Sequence, residues 1–375
     1  MPAAYPQFHL CLLLTHRCNL ACSYCYAGQS HEGKPVLSRE MARRAVTNAL
    51  NSLAPGGTLN ISFFGGEPLL EAKRLAEIRQ DAKDEAERRN LEVTFQITTN
   101  GTVGTPEAWT LLLDAGIGIA ISLDGSQAAH DRHRIDRQGK GSHATVVSTI
   151  KRLAVAGRDF SAIMVVRPDT LALMPEGIRN LQRLGVPFIL PMLDLWAEWQ
   201  DPDIGLLEAL IPEIADAWVK GLPTTSISWF DDKLHALSGV AAGCRHHCGF
   251  GHGELAATPS GHLYPCERLV GPDDAGNRWR IPGQVADYND FLALAWPTYD
   301  RCGTCAGCQG SFACRTECKC ANLIRTGNPS EPDGLLCRFE KRLMQATEDV
   351  ALQVLEKTIP FHQQKGKEAH HEHTA

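Results

Sequence analysis

Between residues 8 and 193, short apolar runs alternate with longer stretches in which apolar side chains recur every three or four positions. The runs 8–15, 59–64, 91–98, 118–123, 160–166 and 187–193 are each bounded by Gly, Pro or polar residues and read as strands. Between them, 38–53 has Ser38 as an N-cap with Met41, Ala45, Val46 and Leu50 on one face, and 71–89 is rich in Ala, Glu, Lys and Arg. Strands alternating with helices predict βα units and a parallel sheet. Six such units fit either a partial barrel or an open doubly wound sheet, and periodicity alone does not separate the two. Residues 203–242 read as mostly helical, with Leu207, Leu210, Ile211, Ile214 and Trp218 at helical spacing as core. After Gly243 the pattern dissolves into Gly, Pro and short polar stretches that carry ten of the fourteen cysteines. A region with so little apolar core needs metal staples to fold. One helix is expected over 339–355, and the polar end, 363–375 with His370, His371 and His373, is expected to stay disordered in solvent. The divisions that result are 1–202, 203–242, 243–340 and 341–375.

Composition narrows the class. With 375 residues the chain has room for two domains, and 43% hydrophobic with 21% charged residues is ordinary for a globular protein. No apolar run approaches the roughly 18 residues of a membrane span, and the start lacks a basic segment followed by a signal-peptide core, so export and membrane insertion are not expected. A net charge of −6 opposes nucleic-acid binding through phosphate neutralisation. The cysteines form close pairs and triplets, which in a reducing cytoplasm reads as metal ligation rather than a disulfide framework.

The most specific motif is Thr15-His-Arg-Cys18-Asn-Leu-Ala-Cys22-Ser-Tyr-Cys25, a C-x3-C-x2-C spacing with Tyr24 before the last cysteine. Three thiolates suit a four-iron cluster and leave one iron open, and an open metal position is a reactive one. This resembles the radical S-adenosylmethionine (SAM) family, which implies that SAM chelates the open iron and that Tyr24 lies against the adenine. After the second predicted strand, Gly65-Gly66-Glu67-Pro68 resembles the family's GGEP motif, which implies binding of the amino end of SAM. At later strand ends, Thr98 with Asn100 and Ser122 with Asp124 place small polar side chains at alternate positions. They either line the SAM pocket, as the resemblance implies, or cap the following helices. His130-Asp131-Arg-His-Arg134 followed by Gly139-Lys-Gly141-Ser142 is similar to a loop of the same family, in which Arg134 would pair with a carboxylate of SAM or substrate.

Cys248, then Gly261-His-Leu-Tyr-Pro-Cys266, then Cys305-x2-Cys308-x5-Cys314-x3-Cys318, then Cys337 reproduces the seven-cysteine SPASM pattern. The resemblance implies an inner auxiliary cluster on Cys244, Cys248, Cys266 and Cys318, and an outer one on Cys305, Cys308, Cys314 and Cys337. The gap of three residues between Cys244 and Cys248 is shorter than in many members. Cys302 and Cys320 are extra to the pattern and read as ordinary thiols, with ligand substitution as the alternative; Cys11, on the first strand, reads as core. Glu267 stands where sulfatase-maturing relatives have an aspartate that takes a substrate proton, and it is either that base or a salt-bridged surface carboxylate. The expected whole is a partial (β/α)6 radical SAM barrel followed by a small SPASM domain, with three [4Fe-4S] clusters and SAM. It would be a cytoplasmic enzyme that oxidises or crosslinks a side chain of a ribosomally made peptide or protein. Maturation of a sulfatase by formylglycine formation is the alternative within enzymes, and a non-catalytic iron–sulfur electron-transfer protein the alternative outside them. Implied partners are the peptide or protein substrate and a low-potential donor such as flavodoxin or ferredoxin; because the chain starts almost at its first strand, leader recognition is expected from either a separate leader-recognition protein or the barrel surface itself.

Overall fold

The computed structural model describes residues 4–28, 35–238, 249–274, 276–299, 303–305, 307–314 and 318–371, with side chains as far as residue 354. Six parallel strands follow one another in sequence order: β1 (Tyr5–Thr15), β2 (Leu53–Gly65), β3 (Glu92–Thr99), β4 (Gly118–Ser122), β5 (Ser161–Val166) and β6 (Phe188–Leu193). Between them run α1 (Arg39–Asn51), α2 (Ala72–Arg88), α3 (Pro106–Leu112), α4 (Gln127–His133), α5 (His143–Val155) and α6 (Met174–Arg183). Ser38 caps α1 by accepting the Met41 amide at 3.0 Å. Since the strand order never reverses, right-handed crossovers put every connecting helix on one face of the sheet. A doubly wound sheet needs a reversal to cover both faces, so the partial barrel is the architecture found.

Register then sorts the side chains. Leu10, Leu12, Ile61, Phe63, Phe95, Ile97, Ile119, Ile121, Ala162 and Met164 fall on the helix-covered face, all buried in one core. Ser62, Gln96, Thr98 and Ser122 alternate with them and occupy the opposite, inner face. Apolar packing therefore holds the barrel wall from outside while polar groups remain for a ligand inside.

The cysteine-rich region does not stand apart from this sheet. Its strands β8 (Glu254–Ala257), β9 (His262–Tyr264) and β10 (Ile281–Gln284) extend the sheet beyond β1, with β8 parallel to β1 and His9 opposite Glu254. Leu255, Ala257, Leu263, Ile281, Val285 and Phe291 join the barrel core, so this part buries more apolar surface than its sequence suggests. The strands are three or four residues long, too short to show a period. Cys11 packs, as expected, in a small cluster with Leu13, Ala256, Tyr264 and Val270.

At the other edge, β7 (Ser226–Ile227) pairs with β6. The connector folds as α7 (Asp201–Gly221) and α8 (Ser228–Leu237), with Leu207, Ile211, Ile214 and Trp218 fully buried. The chain closes with α9 (Lys319–Thr326) and α10 (Gly334–His371), the latter packed on α7 and α8. α10 is longer than the 339–355 read from apolar spacing, and its helix continues through residues expected to be disordered. The extension, residues 356–371, mixes Glu, Lys and Gln with Pro360 and Gly366, which disfavour a helix interior, so neither apolar spacing nor propensity signals it in the sequence. None of the helices among the described residues is long and apolar enough to cross a membrane.

Candidate active site

The loop after β1 carries Cys18, Cys22 and Cys25, and its path is fixed by backbone on two sides. From β2, the Gly66 amide donates to Thr15 O at 2.8 Å and the Glu67 amide to Arg17 O at 2.9 Å. A Cβ on Gly65 would lie 2.3 Å from Thr15 O, and one on Gly66 2.3 Å from Arg17 O. Both glycines are therefore required by the chain entering the cysteine loop, apart from any ligand. From the other side, Ala21 N donates to Ile135 O at 2.7 Å and Ser23 N to His133 O at 3.0 Å, with Ser23 Oγ 2.6 Å from His133 Nδ1.

Within the loop the Cys25 amide donates to Cys22 O at 3.1 Å, a tight turn that brings the last two thiols to one side. The Asn100 side-chain Nδ2 donates to Cys18 Sγ at 3.6 Å and the Leu20 backbone amide donates to it at 3.4 Å. Burial first, then the nearby Glu67 carboxylate and the Cys22 sulfur, push the Cys18 thiol up to about 12 against the hydrogen bond from Leu20. Three cysteines on one loop, with amide donors at one sulfur, have the chemistry to supply three thiolates to an iron–sulfur cluster, and loading iron would expel their protons.

Glu67 is fully buried. Its Oε1 accepts from Leu69 N at 3.0 Å and Thr99 Oγ1 at 2.8 Å, and its Oε2 from Asn100 N at 2.7 Å. The carboxylate thus ties the end of β2 to the end of β3, and burial raises its pKa to about 7. Thr99, which the sequence reading passed over, is the residue that bonds to it; Thr98 and Ser122 lie on the inner face. Pro68 is buried at the start of the turn Pro68–Glu71.

Asp124 and Arg134 meet each other. Arg134 Nε donates to Asp124 Oδ2 at 3.0 Å, the Tyr24 hydroxyl donates to the same oxygen at 2.6 Å, and the Val165 amide donates to Asp124 Oδ1 at 2.9 Å. Tyr24 is flanked by the guanidinium groups of Arg134 and Arg167, at 5.2 and 5.4 Å from its ring centre. Behind this, buried His130 lies 2.9 Å from Ser142 Oγ and takes the Asp124 amide on Nδ1; burial pushes its pKa down to about 3, so it is a neutral acceptor. The loop 130–142 is the frame that holds the cysteine loop, and its arginine faces the ring of Tyr24.

The second centre forms where β9 ends. Cys266 Sγ lies 3.5 Å from Glu267 Oε2, and ligand atoms of Glu254, Cys266 and Glu267 all fall within 4.8 Å of one another. Tyr26, directly after Cys25, interacts with Glu267, Arg268, Cys266 and Cys11, and burial drives its hydroxyl pKa well up. The pairing of β8 with β1 brings Tyr26 within electrostatic reach of the second cysteine centre, and nothing local in the sequence signals it. Cys320, in the first turn of α9, reaches Cys266, and the sulfur of Cys318, the N-cap of that helix, lies 3.4 Å from the Cys320 sulfur. For the outer set, Cys305 and Cys308 share a turn (Cys308 N to Cys305 O, 3.2 Å), while Cys314 follows on the same loop and Cys337 lies in the first turn of α10. Cys244, Cys248 and Cys302 lie outside the described residues.

Comparison with known proteins agrees with this geometry. The family model described as the radical SAM superfamily matches residues 12–188. The cysteine-type anaerobic sulfatase-maturating enzyme of Clostridium novyi (strain NT) is 26% identical over 268 residues, 68% of this chain and 71% of that protein. The serine-type anaerobic sulfatase-maturating enzyme of Klebsiella aerogenes is 27% identical over 363 residues, 87% of this chain and 83% of that protein. In fold, the chain resembles the solved structure of native anSMEcpe with bound AdoMet and Kp18Cys peptide, with a TM-score of 0.75 at 18% identity, covering 93% of this chain and 99% of that one.

Proposed function

We propose that the chain is a radical SAM enzyme that oxidises a Cys or Ser side chain of a protein or peptide to an aldehyde; the match of residues 12–188 to the radical SAM superfamily and the similarity to sulfatase-maturating enzymes support the reading. The observation that carries the reading is the pairing of β8 with β1, which puts the strand that leads into the Cys18–Cys25 loop beside the segment that leads to Cys266 and Glu267, close enough for Tyr26 to feel the charges of both. With SAM and three four-iron clusters bound, the protein gains a primary carbon radical that removes a substrate hydrogen atom, and an acceptor for the electron the substrate carbon then gives up.

The chain's own residues do the rest. Cys18, Cys22 and Cys25 would hold the barrel cluster, and the inner-face positions Thr98 and Ser122 and the backbone of Gly65–Pro68 would receive SAM. Tyr24, clamped by Arg134 and Asp124, closes that end. Glu267 would accept the proton that the substrate releases as its carbon–heteroatom double bond forms, giving the aldehyde directly from Ser, and from Cys a thioaldehyde that water converts to the aldehyde with release of hydrogen sulfide. Arg17 and Arg137 line a cleft of about 440 Å³ beside Cys18, a charge pattern suited to an acidic low-potential donor such as flavodoxin or ferredoxin. The cytoplasm, reducing and able to supply that donor, is the compartment that fits.

A second reading is favoured by Glu267 itself. It is one methylene longer than the aspartate of the sulfatase-maturing relatives, and its carboxylate folds back on Cys266 Sγ. In that reading the substrate radical would bond to another atom of the peptide, whose own hydrogen leaves as a proton while an auxiliary cluster would take the remaining electron, and the proton acceptor need not be Glu267. Glu267→Gln separates the two. With a substrate deuterated at the reacting carbon, the Gln variant should still place deuterium in 5′-deoxyadenosine while aldehyde product, counted by hydrazide capture and mass spectrometry, falls by about two to four orders of magnitude. Full aldehyde yield from the variant would make Glu267 a bystander, and a crosslinked product from the unaltered enzyme would establish the second reading.

A further inference from the structure

The face of the sheet turned away from its helices carries an apolar cluster of its own. Phe63 belongs to the main core, so Phe64 falls on the inner side, opposite Leu13 of β1. There it packs with Cys11, Leu13, Ala256, Tyr264, Val270 and Trp279. All of these are buried except Trp279, which like Phe64 stays partly exposed. An aromatic ring in an apolar cluster is ordinarily core, but the core of this sheet lies on its other face, and this ring is left part-open beside the site. Phe64 directly precedes Gly65-Gly66-Glu67, whose backbone meets Thr15 and Arg17 at the entry to the Cys18–Cys25 loop. At the far end of the cluster, Tyr264 stands two residues before Cys266 and Val270 three after Glu267, and Trp279 also packs on the group that contains Cys266. Across the interior, Val165 and Met192 stand side by side on β5 and β6, and Arg268 donates to Met192 Sδ at 3.6 Å, so the segment after Glu267 reaches that wall as well. A substrate carbon that gives a hydrogen atom at the first centre, with a heteroatom that gives a proton to Glu267, lies between these ends, against the open edge of Phe64.

We propose that Phe64 determines the size of the side chain this enzyme oxidises: its ring is the wall against which the substrate Cβ is held, and it admits Cys or Ser while excluding the β-branched Thr. The inference rests on the oxidation of Cys or Ser proposed above. Thr differs from Ser by one methyl group on the reacting carbon, and one carbon more or less in an apolar pocket is worth about 10- to 200-fold in discrimination. Where Thr fits, it loses the same hydrogen atom, proton and electron as Ser, by the same route, and its product is a methyl ketone in place of an aldehyde.

The test uses the reconstituted full chain and three sulfatase-derived peptides that differ only in carrying Cys, Ser or Thr at the reacting position. Carbonyl product is counted by hydrazide capture and mass spectrometry. The wild type should oxidise the Thr peptide at least about tenfold less efficiently than the Ser peptide. Phe64→Ala should raise the ketone yield from the Thr peptide by about tenfold or more, a gain that misfolding cannot produce. Phe64→Leu, which keeps an apolar side chain in the cluster, should fall between the two, and it decides the matter if the Ala variant takes up less iron. Wild-type oxidation of Thr as readily as Ser, or no gain for Thr in either variant, would overturn the assignment. Carbonyl product from none of the three peptides with the wild type would overturn the oxidation reading and this inference with it, a result distinct from either of those.

Discussion

Glu67 shows how one side chain can be legible in its motif and illegible in its role. The string Gly65-Gly66-Glu67-Pro68 marks the site, yet the carboxylate spends its acceptors on Leu69, Thr99 and Asn100, and the glycines admit the Thr15–Arg17 backbone. Apart from Leu69 these partners are far off in sequence, so spacing cannot reveal them. The raised pKa has a consequence for stability. The native state holds a proton on Glu67 up to about 7 and the unfolded chain only to about 4.5, so this contribution is whole below 4.5 and is lost as pH rises through 7. The difference amounts to about 3 kcal/mol. Urea melts of the iron-free protein at low and neutral pH should show that loss in the wild type and a flatter profile in Glu67→Gln. The Gln variant should also be about 1–3 kcal/mol less stable at low pH, because its amide turns a donor toward a donor. Parallel pH profiles for the two proteins would refute the burial account.

Among elements, the six βα units were readable because each strand and helix carries its own period, and Ser38 marks the start of α1. The strands β8 to β10 were not, since they are short and take their order from pairing with β1. The junction of α8, α10 and the outer cysteine loop was equally hidden. Lys233 is 1% exposed, pairs with Glu340 on α10, and donates to Ala313 O at 2.6 Å, one residue before Cys314. Glu340 lies one helical turn after Cys337, so a single ammonium group spans both stretches that supply the outer cysteines. Lys233→Met would leave Glu340 buried with one charge partner fewer, at a cost of about 3–5 kcal/mol. The double variant Lys233→Met with Glu340→Leu should recover most of that loss in thermal melts, though not the hold on Ala313, so its outer-cluster iron should still be released faster to a chelator. Equal chelation rates in the double variant and the wild type would remove Lys233 from the support of that loop.

Across the whole molecule, the two cysteine patterns could be read from sequence because ligand spacing is local, whereas their adjacency through the pairing of β8 with β1, and the place of Cys320 between Cys266 and Cys318, exist only once the sheet is assembled. What the assembled chain is claimed to do is cleave SAM at Cys18, Cys22 and Cys25 and use the resulting radical on a peptide side chain. The most direct test is anaerobic incubation of the reconstituted protein with SAM and a low-potential reductant, counting iron and 5′-deoxyadenosine together. The wild type should carry about twelve irons and release 5′-deoxyadenosine, and the variant with all three cysteines replaced by Ala should carry about eight and release none. A fully loaded wild type that forms no 5′-deoxyadenosine, or a triple variant that forms as much as the wild type, would contradict the account.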